Sequence, residues 1–217
     1  MEALLEDSTA GDPMTGLKWT YRSIRRLAKA LRRHGFKLYG IYDVKHNDGL
    51  VVVGTSHDTP TFAVSCIRQW WLKRGRGRYP DASRLLIEAD GGGSNDYRKW
   101  EWKLALQDLA DEFNLVITVT HYPPGASKWN PIDHRMFSLI SNNWKGEPLT
   151  SYEVMLKHIR RTRSQEGFHC QACLDTREYP EKGKISPEER ARVQFQRRKV
   201  LPQWNYSILP HARSRDC

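Results

Sequence analysis

The strongest constraint on the fold is the run Leu85-Leu86-Ile87-Glu88-Ala89-Asp90, which ends on a carboxylate and passes at once into Gly91-Gly92-Gly93-Ser94-Asn95. A short apolar run bounded by glycines is the pattern of a buried strand, and here its last residue faces outward as a site residue must. Glycine has no Cβ, so Gly91 to Gly93 leave room for a ligand or a neighbouring backbone to come close. Between Asp96 and Phe113 the residues Trp102, Leu106, Leu109 and Phe113 recur on one face of a helix. A second apolar run follows, Leu115-Val116-Ile117-Thr118-Val119-Thr120. Strand, helix and strand in this order predict an α/β architecture.

The second run opens into a polar loop, His121 to Asn130, which leads through Pro131 into a helix start and delivers another carboxylate, Asp133. Two carboxylates on separate rigid elements suit hard divalent cations, because Mg²⁺ takes oxygen ligands and keeps several waters. A pair of such ions stabilises both the attacking and the leaving oxygen of a phosphoryl transfer. Asp90 and Asp133 are the candidate metal ligands and catalytic groups. Local chemistry offers another account of each: an Asp before glycines caps turns. With Asn130 as N-cap and Pro131 at the first helical position, Asp133 falls third, as in a capping box. Beside it, Lys128 and Arg135 are candidate phosphate contacts, and Trp129 is a candidate stacking platform for an unpaired base.

The rest of the chain is read in order. Residues 1 to 16 predict an irregular tail. From Thr20 to His34 the apolar positions Ile24, Leu27, Ala28 and Leu31 recur at helical spacing, while the opposite face carries Arg25, Arg26, Arg32 and Arg33 and no acid. Such a face suits a DNA backbone, as basic side chains displace condensed counterions, and it equally suits plain solvation. Lys37 to Val44 and Leu50 to Gly54 predict a hairpin through Asp48-Gly49. Asp43, which ends the first of these strands, is a candidate replacement carboxylate, with turn chemistry as its simpler explanation. Asp58 or Thr59 caps a helix from Pro60 to Arg74 with a core-facing aromatic set, and Arg74 to Arg78 reads as a flexible basic loop.

After Ser151 comes a further helix, then a strand carrying Cys170 and Cys173. Ser186-Pro187-Glu188-Glu189 starts a helix expected to continue to Lys199, and Trp204 to Ile208 predicts a closing strand. The four cysteines do not make a disulfide framework in 217 residues. Cys170 and Cys173, with His169, lack a second ligand pair at zinc spacing. Thirty-five basic against 25 acidic residues leave a net charge of +10, which favours a polyanionic partner. No apolar run reaches membrane-spanning length and the N-terminus is short and acidic, so the expected location is cytoplasmic, away from any membrane.

The words Ala89-Asp90-Gly91-Gly92-Gly93-Ser94-Asn95, Pro123-Pro124-Gly125-Ala126-Ser127-Lys128-Trp129-Asn130 and His134-Arg135-Met136-Phe137-Ser138 resemble DDE-type insertion-sequence transposases of the Rhodopirellula transposase family. Gly40-Ile41-Tyr42-Asp43, His57-Asp58-Thr59, Asn143-Trp144-Lys145-Gly146 and Pro148-Leu149-Thr150-Ser151 continue the similarity, which spans residues 39 to 208. The resemblance implies an RNase H-like mixed sheet flanked by helices, with a carboxylate triad that binds two Mg²⁺ (or Mn²⁺) ions. Asp90 would be its second member and Asp133 its third. The implied chemistry is transposition: water attacks a phosphodiester at the element end, and the freed 3′ hydroxyl attacks target DNA. Implied partners are DNA, as element ends and target, and a second transposase chain, either a copy of this one or an intact relative.

Two departures stand out. The family carries Glu where Asp133 stands, and the word holding its first catalytic Asp, expected upstream of Tyr39, is absent. The expected organisation is a tail (1–16), a remnant of a helix-turn-helix region (17–36), a partial catalytic core without its first strand (37–165), a C-terminal extension (166–209) and a tail (210–217). The loss of a segment between the helix-turn-helix remnant and the core, with the first Asp, implies impaired catalysis, and the alternative is an inactive remnant that binds DNA or an intact transposase.

Overall fold

The computed structural model describes residues 9–11, 18–20, 36–123, 125–143 and 151–212. The expected basic helix with Arg25, Arg26, Arg32 and Arg33 lies outside the described residues, as do most of the N-terminal tail and the tail after 212. In chain order the elements are β1 (Thr9–Gly11), β2 (Lys18–Thr20), β3 (Lys37–Asp43), β4 (Asp48–Gly54), α1 (Pro60–Trp70), β5 (Arg84–Asp90), α2 (Trp100–Phe113) and β6 (Val116–Tyr122). These are followed by α3 (Ser138–Asn143), α4 (Tyr152–Arg161), β7 (His169–Asp175), α5 (Pro187–Ala191), β8 (Phe195–Arg197) and β9 (Asn205–Ile208). The chain forms two compact units, one of residues 1–57 and 131–178, the other of 58–130 and 179–217.

In the first unit β1 and β2 pair antiparallel, where the sequence predicts a tail and the approach to a helix. The main sheet has the order β3-β4-β7, antiparallel between β3 and β4 and parallel between β4 and β7. The segment after residue 166, read above as an extension, thus supplies a strand to the same sheet as the β3–β4 hairpin. β4 is buried along its whole length, and its run Leu50-Val51-Val52-Val53 suits a strand covered on both sides. Val51 and Val53 belong to a core with Met136, Ile140, Met155, Ile159 and Phe168. α4 begins where the Ser151 side chain accepts a hydrogen bond from Val154 N at 3.3 Å.

The second unit holds a sheet of order β5-β6-β9-β8, parallel between β5 and β6 and antiparallel elsewhere. Trp102, Leu106 and Leu109 of α2 are buried as the helical spacing predicts, as are Phe62, Ala63, Ile67 and Trp70 of α1, the helix packed against it. Thr59, not Asp58, is the cap of α1, accepting from Phe62 N at 3.2 Å.

Three expectations are corrected here. The basic stretch Arg74 to Arg78 is not a loop: a π-helical turn, Trp71–Gly75, and a helical turn, Arg76–Arg78, continue α1. The buried Trp71 ring covers Gly75 so closely that a Cβ there would collide with it. α5 has the predicted capping box of Ser186 and Glu189 but stops at Ala191, because Phe195 to Arg197 pair with β9. The β3–β4 turn is Val44 to Asn47 and not Asp48-Gly49, which are the first residues of β4 and pair with Asp43 and Tyr42. Pro210 to Ala212 carry no regular secondary structure, and His211 N donates to Asp111 Oδ1 at 2.8 Å.

Gly40 and Gly49 face Met136: a Cβ at Gly40 would lie 2.5 Å from both Met136 Cε and Phe137 Cζ. The Met136 tip can move aside, whereas the Phe137 ring is stiffer. Gly40→Ala is therefore expected to destabilise the protein by about 1–3 kcal/mol in denaturant unfolding, the usual cost of overpacking. Gly77→Ala, which meets nothing within 4 Å, is the control, with an expected change of at most about 0.5 kcal/mol.

Candidate functional site

Asp90 is the last residue of β5 and pairs in register with Tyr122, the last residue of β6. Its side chain is half-buried and accepts a hydrogen bond from Asn130 Nδ2 at 3.3 Å. Gly91 follows where an added Cβ would come within 3.3 Å of the Tyr122 carbonyl oxygen, so the first glycine permits close approach of the β6 backbone. Gly93 has φ +67°, a left-handed conformation that glycine adopts without strain. Gly92 and Gly93 meet no atom within 4 Å of a notional Cβ. The glycine run thus works in two ways, as a close contact and as an open turn.

Behind Asp90 lies a buried polar group. His121 Nδ1 is 3.2 Å from the Asp90 carbonyl oxygen, and His121 Nε2 is 2.9 Å from the Tyr206 hydroxyl. Trp102 Nε1 donates to the same hydroxyl at 2.7 Å. Burial holds the His121 imidazole below its ordinary pKa and pushes the Tyr206 phenol up. The sequence carries a signal for His121: it continues the inward alternation of Ile117 and Val119 on β6, a polar residue in a core register. Asn130 was legible as a helix cap only. Its contact with Asp90 joins residues forty positions apart in the chain.

Asp133 lies in the other unit, half-buried in the first turn of a π-helical segment, Asp133–Phe137, which continues into α3. The helix starts at Pro131, as expected from Asn130 and Pro131, and becomes π-helical at Asp133. Arg135 is exposed on the same segment. Trp129 ends a 3₁₀ turn, Ala126–Trp129, and is 70% exposed; the Lys128 side chain lies outside the described residues. Asp43 is 7% exposed and tied into its turn, accepting from His46 N at 3.3 Å and facing His46 Nδ1 at 3.1 Å. Cys170 and Cys173 are three apart on β7 and so point to opposite faces of the sheet. A cleft of about 340 Å³ lies elsewhere in the second unit. Lys99, Lys182, Lys184 and Arg190 line it together with Asp58, Glu101 and Glu181, so it presents no field of one sign.

The donor chemistry at Asp90, a carboxylate oxygen on an open turn, fits a hard divalent cation, which one or two carboxylates and several waters can hold. Among the described residues there is no cluster of three or more His, Cys, Asp or Glu able to hold a metal ion. None of the helices described is long and apolar enough to cross a membrane.

Two mixed sheets flanked by helices, one ending on a carboxylate beside a glycine turn, define an α/β protein consistent with an RNase H-like DDE domain. Residues 37–210 match the model of the family described as Rhodopirellula transposase DDE domain, and the chain belongs to that family. No curated protein and no solved structure matches it. Membership makes this a transposase-type protein, with DNA as the partner the family implies and divalent metal ions as the cofactors DDE transposases generally use.

Lys103 of α2 is buried close to the Asp90 site, its Nζ donating to the Tyr97 carbonyl oxygen at 2.5 Å. Burial, and then the nearby Arg197 charge, push its pKa down from 10.5 to about 8. In the unfolded chain the lysine still binds its proton between these values, while the folded protein has released it. Unfolding therefore takes up a proton, and this group's contribution to stability rises with pH from about 8 to 10.5 and falls as pH drops through that window. Lys103→Met is expected to remove that part of the slope when unfolding free energy is measured against pH.

Proposed function

We propose that this chain acts on DNA by metal-dependent strand cleavage and transfer, with Asp90 and Asp133 as metal ligands, and that this activity is impaired. The observation carrying the reading is the placement of Asp90: a carboxylate at the C-terminal end of a strand, beside an open glycine turn, bonded by Asn130. A bound divalent ion would supply positive charge to the phosphoryl oxygens. The protein's part is to position. Asp90 and Asp133 offer carboxylate oxygens, and Asn130 fixes the rotamer of the first. The exposed Trp129 next to Asn130 offers a face to an unpaired base, while Arg135, Lys128 and the basic run with Arg25, Arg26, Arg32 and Arg33 offer charge to phosphates.

The reading of impairment rests on the missing first carboxylate. Asp43, the other candidate, is engaged by His46 in its own turn. Asp133 is one methylene shorter than the glutamate the family carries. The same observations favour a second reading, a non-catalytic relative that binds DNA or pairs with an intact transposase. A lost internal segment, with the sheet's first strand, accounts for both.

Titration of the folded protein with Mn²⁺ by calorimetry is expected to show weak saturable binding that is lost in Asp90→Asn and Asp133→Asn, with strand transfer slow and dependent on Asp90. DNA binding with no Mn²⁺ uptake above that of the variants would select the non-catalytic reading. Trp129→Ala is expected to weaken binding of a single-stranded DNA end by about 1–3 kcal/mol, the usual worth of a stacked base. Unchanged affinity in a fluorescence titration would remove Trp129 from the interface.

A further inference from the structure

We infer that Trp102, Tyr206 and His121 form a one-way hydrogen-bond chain that fixes the backbone of Asp90, making His121 and Tyr206 positioning residues of the carboxylate site. The inference rests on the reading of Asp90 as a metal ligand, and adds to it how the ligand is held.

The direction of each bond follows from what each group can do. An indole N–H only donates, so at 2.7 Å the Tyr206 oxygen accepts from Trp102 Nε1. A carbonyl oxygen only accepts, so the His121 nitrogen 3.2 Å from the Asp90 carbonyl, Nδ1, carries a proton. In a neutral imidazole the other nitrogen is then an acceptor, and the Tyr206 hydroxyl proton points to His121 Nε2 at 2.9 Å. Every proton in the chain is thus assigned. The alternative tautomer would set Nε2–H against a hydroxyl whose own proton then has no acceptor among these groups, and would leave a bare Nδ1 facing the carbonyl oxygen.

All three side chains are buried, so no solvent is at hand to replace a lost partner. The chain starts in α2, crosses β9 and β6, and ends on the last residue of β5, where the register with β6 stops. His121 holds the Asp90 main chain while Asn130 holds its carboxylate.

Two readouts test this. The first is the ¹⁵N NMR spectrum of the His121 ring in the folded chain. The expected pattern is a protonated Nδ1 and an unprotonated Nε2; the reverse pattern overturns the inference. The second is Mn²⁺ affinity by calorimetry. Tyr206→Phe is expected to weaken it about tenfold, within the usual range for residues that orient a metal ligand. If Asp90→Asn loses binding and folded Tyr206→Phe keeps wild-type affinity, the positioning role is overturned while the ligand reading stands. If Asp90→Asn binds as the wild type does, the ligand reading fails and the inference falls with it. Should Tyr206→Phe not fold, His121→Asn and His121→Ala give the same comparison. The Asn amide can donate to the Asp90 carbonyl and is expected to retain affinity that Ala loses; equal affinity in the two overturns the inference.

Discussion

The parallel pairing of β5 with β6 is the interaction on which the candidate site depends. It runs in register from Arg84 opposite Val116 to Asp90 opposite Tyr122, so both strands end together and their loops leave from the same edge. Parallel strands cannot be joined by a tight turn. The crossover is α2, whose buried face of Trp102, Leu106 and Leu109 supplies the apolar area that holds the unit together. The same helix face that stabilises the fold therefore also carries the first member of the hydrogen-bond chain to Asp90.

Polar burial around α2 shows how the second unit is tied to its C-terminal segment. Gln107 is fully buried: its Nε2 donates to Asp111 Oδ1 and to the Leu209 carbonyl, each at 2.9 Å, and its Oε1 accepts from Gln194 N at 2.8 Å. A buried amide with these partners avoids the cost of an unsatisfied group, and its geometry fixes where residues 194 and 209 must lie. That placement brings Phe195 against the Tyr206 ring at 5.1 Å between centroids and sets β8 beside β9. The helix that begins at Ser186 cannot run on to Lys199, because the backbone from Gln194 is already committed to other partners.

How far the fold could be read from the sequence follows from the range of the interactions that decide each element. The caps at Thr59 and Ser186, the pairing of β3 with β4 as a hairpin and the periodic faces of α1 and α2 are local, and they stand as read, although the turn falls at Val44 to Asn47 and not at Asp48-Gly49. The end of α5 is set by partners on α2 and β9, and the helical continuation through Gly75 by a tryptophan ring laid over it, so neither is visible in a short window of sequence. The site divides in the same way. Asp90 announces itself through the apolar run and the glycines, whereas the groups that hold it, Asn130, His121 and Tyr206, come from three other stretches of chain.

Asp43 and Asp90 make the physical distinction concrete, since each ends a strand and each is followed by a turn. Asp43 is bonded by His46, three residues on, a contact that shapes the turn containing both. Asp90 is bonded by Asn130, forty residues away, and its main chain by His121, thirty-one away. Loop closure over that distance costs entropy that a single polar contact does not repay, so the arrangement exists only because the sheet and α2 have already brought these segments together. A carboxylate held by distant partners on rigid elements keeps one orientation without being consumed by its own turn. That orientation is what a metal ligand needs and what a turn-capping aspartate lacks.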